Sequence, residues 1–190
     1  MDARRINVVG SSGSGKTTFA RRLAELKGVP YIEMDALYWR PQWREPSDAE
    51  FLPQVAEAVA GEAWVLDGSY SRTRHIKWPR TEALVFLDLP KAVTVSRVLR
   101  RALRRIRSGE ELWPGTGNRE TVANVFLSRD SIVLWAAKMH GANRQRYADP
   151  AYVGAYPHLA FIRLTSPGAV DACLAAVAAL QAGTPLSERR

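Results

Sequence analysis

Residues 10–17 read Gly-Ser-Ser-Gly-Ser-Gly-Lys-Thr, which matches the GxxxxGK[ST] pattern of a phosphate-binding loop. The loop directly follows the apolar run at residues 6–9 and precedes a segment with apolar residues at helical spacing. A strand, a glycine-rich loop and a helix in this order direct backbone N–H groups and the positive end of the helix toward a polyphosphate. The pattern therefore predicts an α/β fold with a site for a nucleoside triphosphate; an ordinary flexible Gly/Ser loop is the alternative.

Each position of this loop has an expected role. The glycines let the backbone turn its N–H groups inward, Lys16 reaches the terminal phosphates, and the Thr17 hydroxyl holds Mg²⁺. The candidate nucleotide ligands in this segment are Gly10, Ser11, Ser12, Gly13, Ser14, Gly15, Lys16, Thr17 and Thr18. A nucleoside triphosphate with Mg²⁺ is therefore the expected ligand.

The rest of the chain predicts strands that alternate with helices, because apolar runs alternate with segments that carry helix-capping and helix-ending residues. The predicted strands are residues 6–9, 29–34, 63–66, 83–89 and 160–164, and the predicted helices are 16–27, 47–61, 92–106 and 166–181. Continuous apolar strands between helices indicate a parallel sheet that is covered on both faces. We expect an α/β, three-layer, doubly wound fold with a parallel five-stranded sheet. The expected single domain spans residues 1–183, and a disordered tail follows at 184–190.

Residues 108–149 interrupt this alternation and predict a helical insertion. Hinges at Gly115 and Gly117 would let the insertion close over bound phosphates as a lid, exclude water and supply another arginine. The alternative is a helical pair packed permanently on the sheet. Its aromatic residues, for which we expect core packing, are Trp113, Phe126, Trp135 and Tyr147. Phosphate contact, ion pairing and solvent exposure all stay open for Arg119, Arg129 and Arg144.

The chain is basic: 27 Lys and Arg against 19 Asp and Glu give a formal net charge of +8, which predicts anionic partners. One face of the helix predicted at 92–106 concentrates this charge in Arg97, Arg100, Arg101, Arg104 and Arg105. Like charges at three- and four-residue steps repel each other unless anions or acidic side chains face them. Arg97 and Arg101 lie nearest the preceding strand, so we expect both to contact the triphosphate. For the distal arginines, a solvated surface is the alternative.

Three acids lie where predicted strands end, at the edge where parallel sheets bind ligands. We expect Asp67 to orient Mg²⁺; a loop cap or an arginine partner is the alternative. Asp35 opens a stretch rich in aromatic residues and arginine. We expect it to act as general base or hydroxyl clamp for a phosphate acceptor, with a structural turn residue as the alternative. For Asp88, a capping or ion-paired acid is preferred.

The sequence argues against several other classes. Cys173 is the only cysteine, so an internal disulfide is excluded, and its alanine- and leucine-rich surroundings indicate an apolar filler on a helix. The apolar run after Arg4 and Arg5 is too short for a signal peptide, and no apolar stretch is long enough to span a bilayer. We therefore expect a cytoplasmic protein without a membrane partner.

Two further segments carry a resemblance to a known group of proteins. Residues 65–68, Val-Leu-Asp-Gly, with Arg72 soon after, are similar to the Asp-Gly-Phe-Pro-Arg-Thr segment of adenylate kinases. Residues 87–90, Leu-Asp-Leu-Pro, with Arg97 and Arg101 after them, are similar to their fourth strand and arginine-bearing helix. The chain thus resembles the adenylate-kinase-like group of P-loop small-molecule kinases, and the resemblance covers most of its length.

Within that group, residues 35–39, Asp-Ala-Leu-Tyr-Trp, and 67–70, Asp-Gly-Ser-Tyr, resemble the bacterial topology-modulation or adenylate-kinase-related proteins. The resemblance implies a P-loop NTPase fold of the nucleotide-kinase-like type, with ATP on the loop and Mg²⁺ near Asp67. It also implies that the adenine ring lies near residues 165–168, which makes Ser166 a candidate contact. Arg72 is implied to contact the phosphate of an acceptor.

The acceptor segment Thr-Gly-Asp of adenylate kinases has no counterpart here. In its place stand Asp35, Tyr38, Trp39 and Trp43, which is similar in style to P-loop kinases of small hydroxyl compounds such as shikimate or gluconate. The candidate acceptor residues are therefore Asp35, Tyr38, Trp39 and Arg72.

These observations predict an ATP-dependent phosphotransferase that moves the γ-phosphate to a nucleotide or a small hydroxyl-bearing acceptor. The expected catalytic residues are Lys16, Asp35, Arg97 and Arg101. The alternatives are a nucleotide-binding, DNA-associated regulator that lays the basic helix on a phosphate backbone, and a partner-coupled ATPase with little kinase activity. The sequence leaves open the acceptor, the choice between ATP and GTP, and the choice between monomer and dimer.

Overall fold

The computed structural model describes residues 2–123, 125 and 132–183. Phe126, Arg129, the side chain of Trp135 and the tail predicted at 184–190 lie outside the described residues. The strands are β1 (Arg5–Gly10), β2 (Tyr31–Glu33), β3 (Trp64–Asp67), β4 (Ala83–Leu87) and β5 (Ala160–Leu164). They form one sheet in the order β2-β3-β1-β4-β5, and every pair is parallel. The predicted five-stranded parallel α/β sheet is confirmed.

The helices follow the strands in the predicted alternation. They are α1 (Lys16–Lys27), α2 (Met34–Tyr38), α3 (Asp48–Ala58), α4 (Arg74–Lys77), α5 (Lys91–Ser108), α6 (Ile132–Ala148), α7 (Pro150–Gly154) and α8 (Pro167–Ala182). Ser47 caps α3 in a capping box with Glu50, and the Ser166 hydroxyl caps α8 by accepting from the N–H of Ala169. Among the helices of the described residues, none is both long and apolar enough to cross a membrane.

Two predicted strands are longer than the observed ones. The second ends at Glu33 because residues 34–38 turn at once into the short helix α2. The fourth ends at Leu87, so Asp88 lies just beyond the sheet. The helix expected at 47–61 ends at Ala58, before Gly61.

The sheet is buried on both faces because alternate residues of β1 enter different cores. Ile6 and Val8 pack with α1 and α8, whereas Val9 packs on the other face with Trp78 and Phe86. Tyr147, which the sequence places in the core, is 3% exposed and belongs to this second cluster. The helices thus cover a central sheet from both sides, as expected for three layers.

Two buried polar side chains hold the segment that follows β3. The Asn7 Nδ2 group donates to the carbonyls of Leu66 and Gly68, at 3.1 Å each. The Lys77 ammonium is fully buried and donates to the carbonyls of Gly68 and Ser69. Since both side chains converge on residues 66–69, this segment has a fixed path on leaving the sheet.

Lys77 gives the stability of the protein a pH dependence that Lys77→Met is expected to remove. Burial lowers the pKa of Lys77 to about 7, from its ordinary value of 10.5. Between these two values the unfolded chain binds a proton that the folded chain does not, so this residue makes the free energy of unfolding rise with pH, by up to about 1.4 kcal/mol per unit.

Urea unfolding of both proteins at pH 7, 8 and 9 measures this effect. The free energy of unfolding of the wild-type protein, minus that of Lys77→Met, should increase with pH. Lys91→Met, at an exposed lysine, serves as the control and should show a constant difference. A constant difference for Lys77→Met as well would contradict the prediction.

Candidate active site

The phosphate loop joins β1 to α1 and packs against α5. Gly13 has φ +79°, and a Cβ atom there would lie 2.1 Å from the backbone oxygen of Thr94 and 2.8 Å from Val98 Cγ2. Gly15, at the start of α1, has φ 89°. Both glycines therefore adopt left-handed backbone that side chains rarely allow, and Gly13 also lets the loop touch α5.

Gly13→Ala is expected to lower the free energy of unfolding by about 2 to 4 kcal/mol, because it adds both a steric clash and an unfavourable φ. The clash is with the backbone of α5, which has little freedom to move. Urea unfolding measures the change. Gly141→Ala in α6 is the matched control: its Cβ meets nothing within 4 Å, so it should be neutral or slightly stabilising. Equal stabilities of the two variants would refute the argument.

Two arginines of α5 reach the phosphate loop, where the sequence predicts them. Arg97 Nη1 donates to the Ser14 carbonyl at 3.4 Å, and Arg101 Nη2 donates to the Ser12 hydroxyl at 3.1 Å. The Nε group of Arg101 is buried and has no hydrogen-bond partner in the described part of the chain. Burial lowers the pKa of Arg101. The donor side of the site thus contains two guanidiniums beside the loop.

The other cations of this region have partners of their own. Arg105 pairs with Glu110 at 3.1 Å and with Glu120 at 3.0 Å, while Arg100 and Arg104 are exposed. Arg119 donates to the Gly109 carbonyl at 2.7 Å. The two ion pairs of Arg105 relieve part of the repulsion along α5 without a ligand.

Asp88 is an ion-paired acid, in agreement with the preferred interpretation of the sequence. It pairs with Arg163 of β5 and, at 3.3 Å, with Arg144 of α6, and its side chain is only 3% exposed. Of the alternatives left open for Arg144, namely phosphate contact, ion pairing and solvent exposure, the structure thus shows the ion pair.

Thr17 and Asp67 form a pair of oxygen ligands beside the loop. The Thr17 hydroxyl donates to Asp67 Oδ2 at 2.5 Å, and the Tyr31 hydroxyl lies 3.2 Å from the same oxygen. Asp67 Oδ1 is buried without a hydrogen-bond partner among the described residues. Burial raises the pKa of Asp67, while Lys16 and Thr17 oppose this rise. A hydroxyl and an unsatisfied carboxylate oxygen fit the requirements of Mg²⁺.

Asp35 lies on α2 and accepts a hydrogen bond from the Tyr70 hydroxyl at 2.6 Å. The negative charge of Asp35 acts to raise both the pKa of Asp67 and the pKa of Arg101. Tyr70 has φ 32° directly after the segment that Lys77 holds. Asp35 is thus held by a hydroxyl and lies within electrostatic reach of both Asp67 and Arg101.

Arg72 contacts α2, α3 and the segment between these two helices. It pairs with Asp48 at 3.0 Å, donates to the Pro46 carbonyl, and lies over the rings of Tyr38 and Phe51 at 5.1 and 5.0 Å. Tyr38 is buried and packs edge-on against Trp39. These contacts give Arg72 and Tyr38 a packing role behind the acceptor segment, whereas Trp39 is partly exposed.

A groove of about 350 Å³ lies beside the loop at the start of α8. Its lining includes Ser14, Gly15, Thr18, Leu89, Arg97 and Pro167. Ser166, the cap of α8, precedes Pro167 in the chain. The groove therefore joins the phosphate loop to the segment near which the resemblance to adenylate kinases implies the adenine ring.

Several residues of this site were not predicted from the sequence. Glu33 ends β2 opposite Asp67, and Tyr31 lies within hydrogen-bond distance of both acids. Tyr70 and Trp113 also reach the acceptor side. For Tyr31 and Glu33 a signal was present, because both lie in the strand predicted at 29–34, whose carboxyl end was expected to face the ligand; for Trp113 only the fold brings it near.

The parallel sheet, the loop after β1 and the acid at the end of β3 together define the P-loop fold of the nucleotide-kinase-like type. The resemblance drawn from the sequence is confirmed at this level. Among solved structures, the shikimate kinase from Acinetobacter baumannii in complex with shikimate matches with a TM-score of 0.55 and 19% identity, over 97% of this chain and 96% of that one. This likeness shows the fold.

Sequence comparison gives shorter matches, and no protein-family model matches the chain. Over 65 residues the chain is 34% identical to the cytidylate kinase of Nitratidesulfovibrio vulgaris. The matched segment makes up 33% of this chain and 28% of that protein. Over 60 residues it is 40% identical to the bifunctional pantoate ligase/cytidylate kinase of Gloeobacter violaceus. This segment makes up 28% of this chain and 12% of that protein. The matched segments span less than a third of these curated relatives.

Proposed function

We propose that this protein is an ATP-dependent phosphotransferase that moves the γ-phosphate to a small hydroxyl-bearing acceptor or a nucleotide. The observation that carries the proposal is the arrangement of three groups at one sheet edge. The phosphate loop with Lys16, the Thr17–Asp67 pair and the Asp35–Tyr70 pair are adjacent there. A donor site and an acid for the acceptor hydroxyl are the two parts that phosphoryl transfer needs.

The step is an in-line displacement. Asp35, oriented by the Tyr70 hydroxyl through Oδ1, takes the proton of the acceptor hydroxyl through Oδ2. The acceptor oxygen forms a bond to the γ-phosphorus, the bond from that phosphorus to the bridging oxygen breaks, and ADP leaves. Lys16, Arg97 and Arg101 balance the charge that moves onto the phosphate oxygens. When Mg²⁺ is bound at Thr17 and Asp67, it supplies further charge neutralisation.

Two features support a hydroxyl compound over AMP as acceptor. Arg72, the arginine implied to bind an acceptor phosphate, is engaged by Asp48, the Pro46 carbonyl and the rings of Tyr38 and Phe51. An acid, Asp35, faces the site instead. The matched relatives include cytidylate kinases and the fold neighbour is a shikimate kinase, so both acceptor classes belong in the test.

ADP formation from Mg·ATP, followed with paired acceptors, tests the proposal. Each nucleoside is compared with its 5′-monophosphate, and glucose and gluconate with their phosphates. We expect ADP formation to depend on at least one acceptor, with one phosphorylated product for each ADP. Equal release of inorganic phosphate with and without every acceptor would favour a bare ATPase and contradict the proposal.

The contacts of α5 weigh against the DNA-associated alternative. Arg97 and Arg101 face the phosphate loop and Arg105 is paired with acids, so three arginines of the basic face have internal partners, and Arg100 and Arg104 are exposed. Backbone binding to DNA needs several free cations along one surface and weakens steeply as salt rises. A kinase therefore fits the observed use of these arginines better.

A further inference from the structure

Residues 110–120, which we name the tryptophan turn, form a compact turn after α5. Glu111 and Arg119 pair as an antiparallel bridge, and the Leu112 N–H donates to the Asn118 carbonyl at 2.9 Å. The Glu111 carboxylate accepts the Gly117 N–H at 2.7 Å. These bonds are internal to the turn, and Arg105 of α5 also holds both of its ends by pairing with Glu110 and Glu120.

Asn118 fastens this turn to residues 39–44, which we name the acceptor loop. Its Oδ1 atom accepts the Trp43 N–H and its Nδ2 group donates to the Arg40 carbonyl, at 2.9 Å each. The side chain is buried, with 1% of the residue exposed. Both ends of the amide are therefore used to join two segments about 75 residues apart in the chain.

The acceptor loop needs this support because two successive residues have left-handed backbone. Gln42 has φ 60° and Trp43 has φ 59°, and neither is glycine. Such residues cost of order 1 kcal/mol or more each, and persist where surrounding contacts hold them. The bond from the Trp43 N–H to Asn118 is one such contact. The shape of the acceptor loop thus depends on a residue of the tryptophan turn.

The same turn places Trp113 over the acceptor side. Its ring is stacked against Trp39 at 6.2 Å and edge-on to Trp43 at 5.8 Å. Its Nε1 group donates to Glu33 Oε1 at 3.3 Å, and Glu33 is the register partner of Asp67. All three tryptophans are partly exposed. The indole of Trp113 thus lies beside Glu33, next to the strand end that carries Asp67, and packs against Trp39, which follows Asp35 by four residues.

We propose that the tryptophan turn completes the acceptor site: Trp113 contacts the acceptor, and Asn118 is a positioning residue that fixes Trp39 and Trp43. This rests on the proposed function. The acceptor it selects presents a ring with one apolar face, such as a cyclic sugar or a nucleoside, together with the hydroxyl that receives phosphate. Trp113 was expected to be a core residue, and its exposed position on the acceptor side is the reason for the different assignment.

Steady-state kinetics with two probe pairs test this proposal. Glucose is compared with the open-chain sorbitol, and cytidine with glycerol. We expect the cyclic probe of a pair to be the better acceptor in the wild-type protein. Trp113→Ala should raise the KM for that probe about tenfold, with the KM for Mg·ATP within twofold of wild type. Trp113→Phe, which keeps an aromatic face, should recover most of the loss.

Asn118→Ala should raise the same acceptor KM without changing the KM for Mg·ATP, because it acts on the acceptor loop alone. Glu57→Ala, at an exposed position of α3 outside both the acceptor loop and the tryptophan turn, is the control and should leave the acceptor KM within twofold. Quenching of tryptophan fluorescence by the cyclic probe, weaker in Trp113→Phe, provides a second readout for variants that bind without turnover.

The outcomes separate the two proposals. Transfer with an unchanged acceptor KM in Trp113→Ala and Asn118→Ala would overturn this inference while sparing the proposed function. Equal rises in both KM values, or a preference for the open-chain probes, would overturn it too. Binding of Mg·ATP with no transfer to either cyclic probe would count against the ring-bearing acceptor, and absence of Mg·ATP binding would overturn the proposed function and this inference together.

Discussion

Lys16→Ala is expected to reduce phosphate transfer about 10³-fold while the protein keeps its fold. Lys16 follows the left-handed Gly15 at the first position of α1, and its charge reaches Asp67, where it opposes the rise in pKa caused by burial. A cation fixed at this point stabilises charge on the terminal phosphates more in the transition state than in the ground state. Removal of one preorganised charge of this kind costs roughly 10²- to 10³-fold or more in rate.

Coupled measurement of ADP formation gives the rate, and circular dichroism with urea unfolding checks the fold. Lys91→Ala, at an exposed lysine of α5, is the control and should retain wild-type transfer. Full transfer by a folded Lys16→Ala protein would show that the phosphate loop is not the donor site.

Asp35→Asn is expected to lower kcat roughly 10²- to 10³-fold, because the amide keeps the shape of the side chain but does not accept the proton of the acceptor hydroxyl. The amide oxygen still accepts the Tyr70 hydroxyl, so the segment should keep its conformation. The KM for Mg·ATP should change little, since Asp35 lies on the acceptor side. The measurement is kcat at saturating Mg·ATP with the best acceptor from the paired screen.

Asp149→Asn provides the matched control. Asp149 caps α7 at an exposed position, and asparagine caps helices equally well, so this variant should transfer phosphate at the wild-type rate. If Asp35→Asn kept more than about a third of the wild-type kcat, Asp35 would have to be a structural residue, which is the alternative that its sequence position allowed.

Much of the fold could be predicted because its signals are local. The phosphate loop, the apolar strands and the Ser47 capping box each occupy a few consecutive residues, and the structure has all of them. The positions of Arg97 and Arg101 on the face toward the loop follow from helical spacing and closeness to β4. Periodicity indicates which side of an element faces inward, and this was sufficient to predict that both arginines face the loop.

The acceptor side could not be predicted in the same way, since it depends on contacts between distant segments. Nothing near Trp113 in the sequence indicates that it meets Glu33, 80 positions earlier. The buried ammonium of Lys77 is equally unexpected, because lysine is rarely found without exposure. An acid at the carboxyl end of a strand also has no single role. Asp67 and Asp88 both lie at such an end, but Asp88 is paired with two arginines.

Helix α5 links the two halves of the site mechanically. Over its 18 residues it carries the donor-side arginines in its middle third, and its C-terminal end leads into the tryptophan turn. Each inserted residue would rotate the turn by about 100° around the helix axis and carry Trp113 away from Glu33. Substitutions on the outer face of this helix should therefore be tolerated far better than any change in its length. The length of the helix sets the distance and the angle between the donor-side arginines and Trp113.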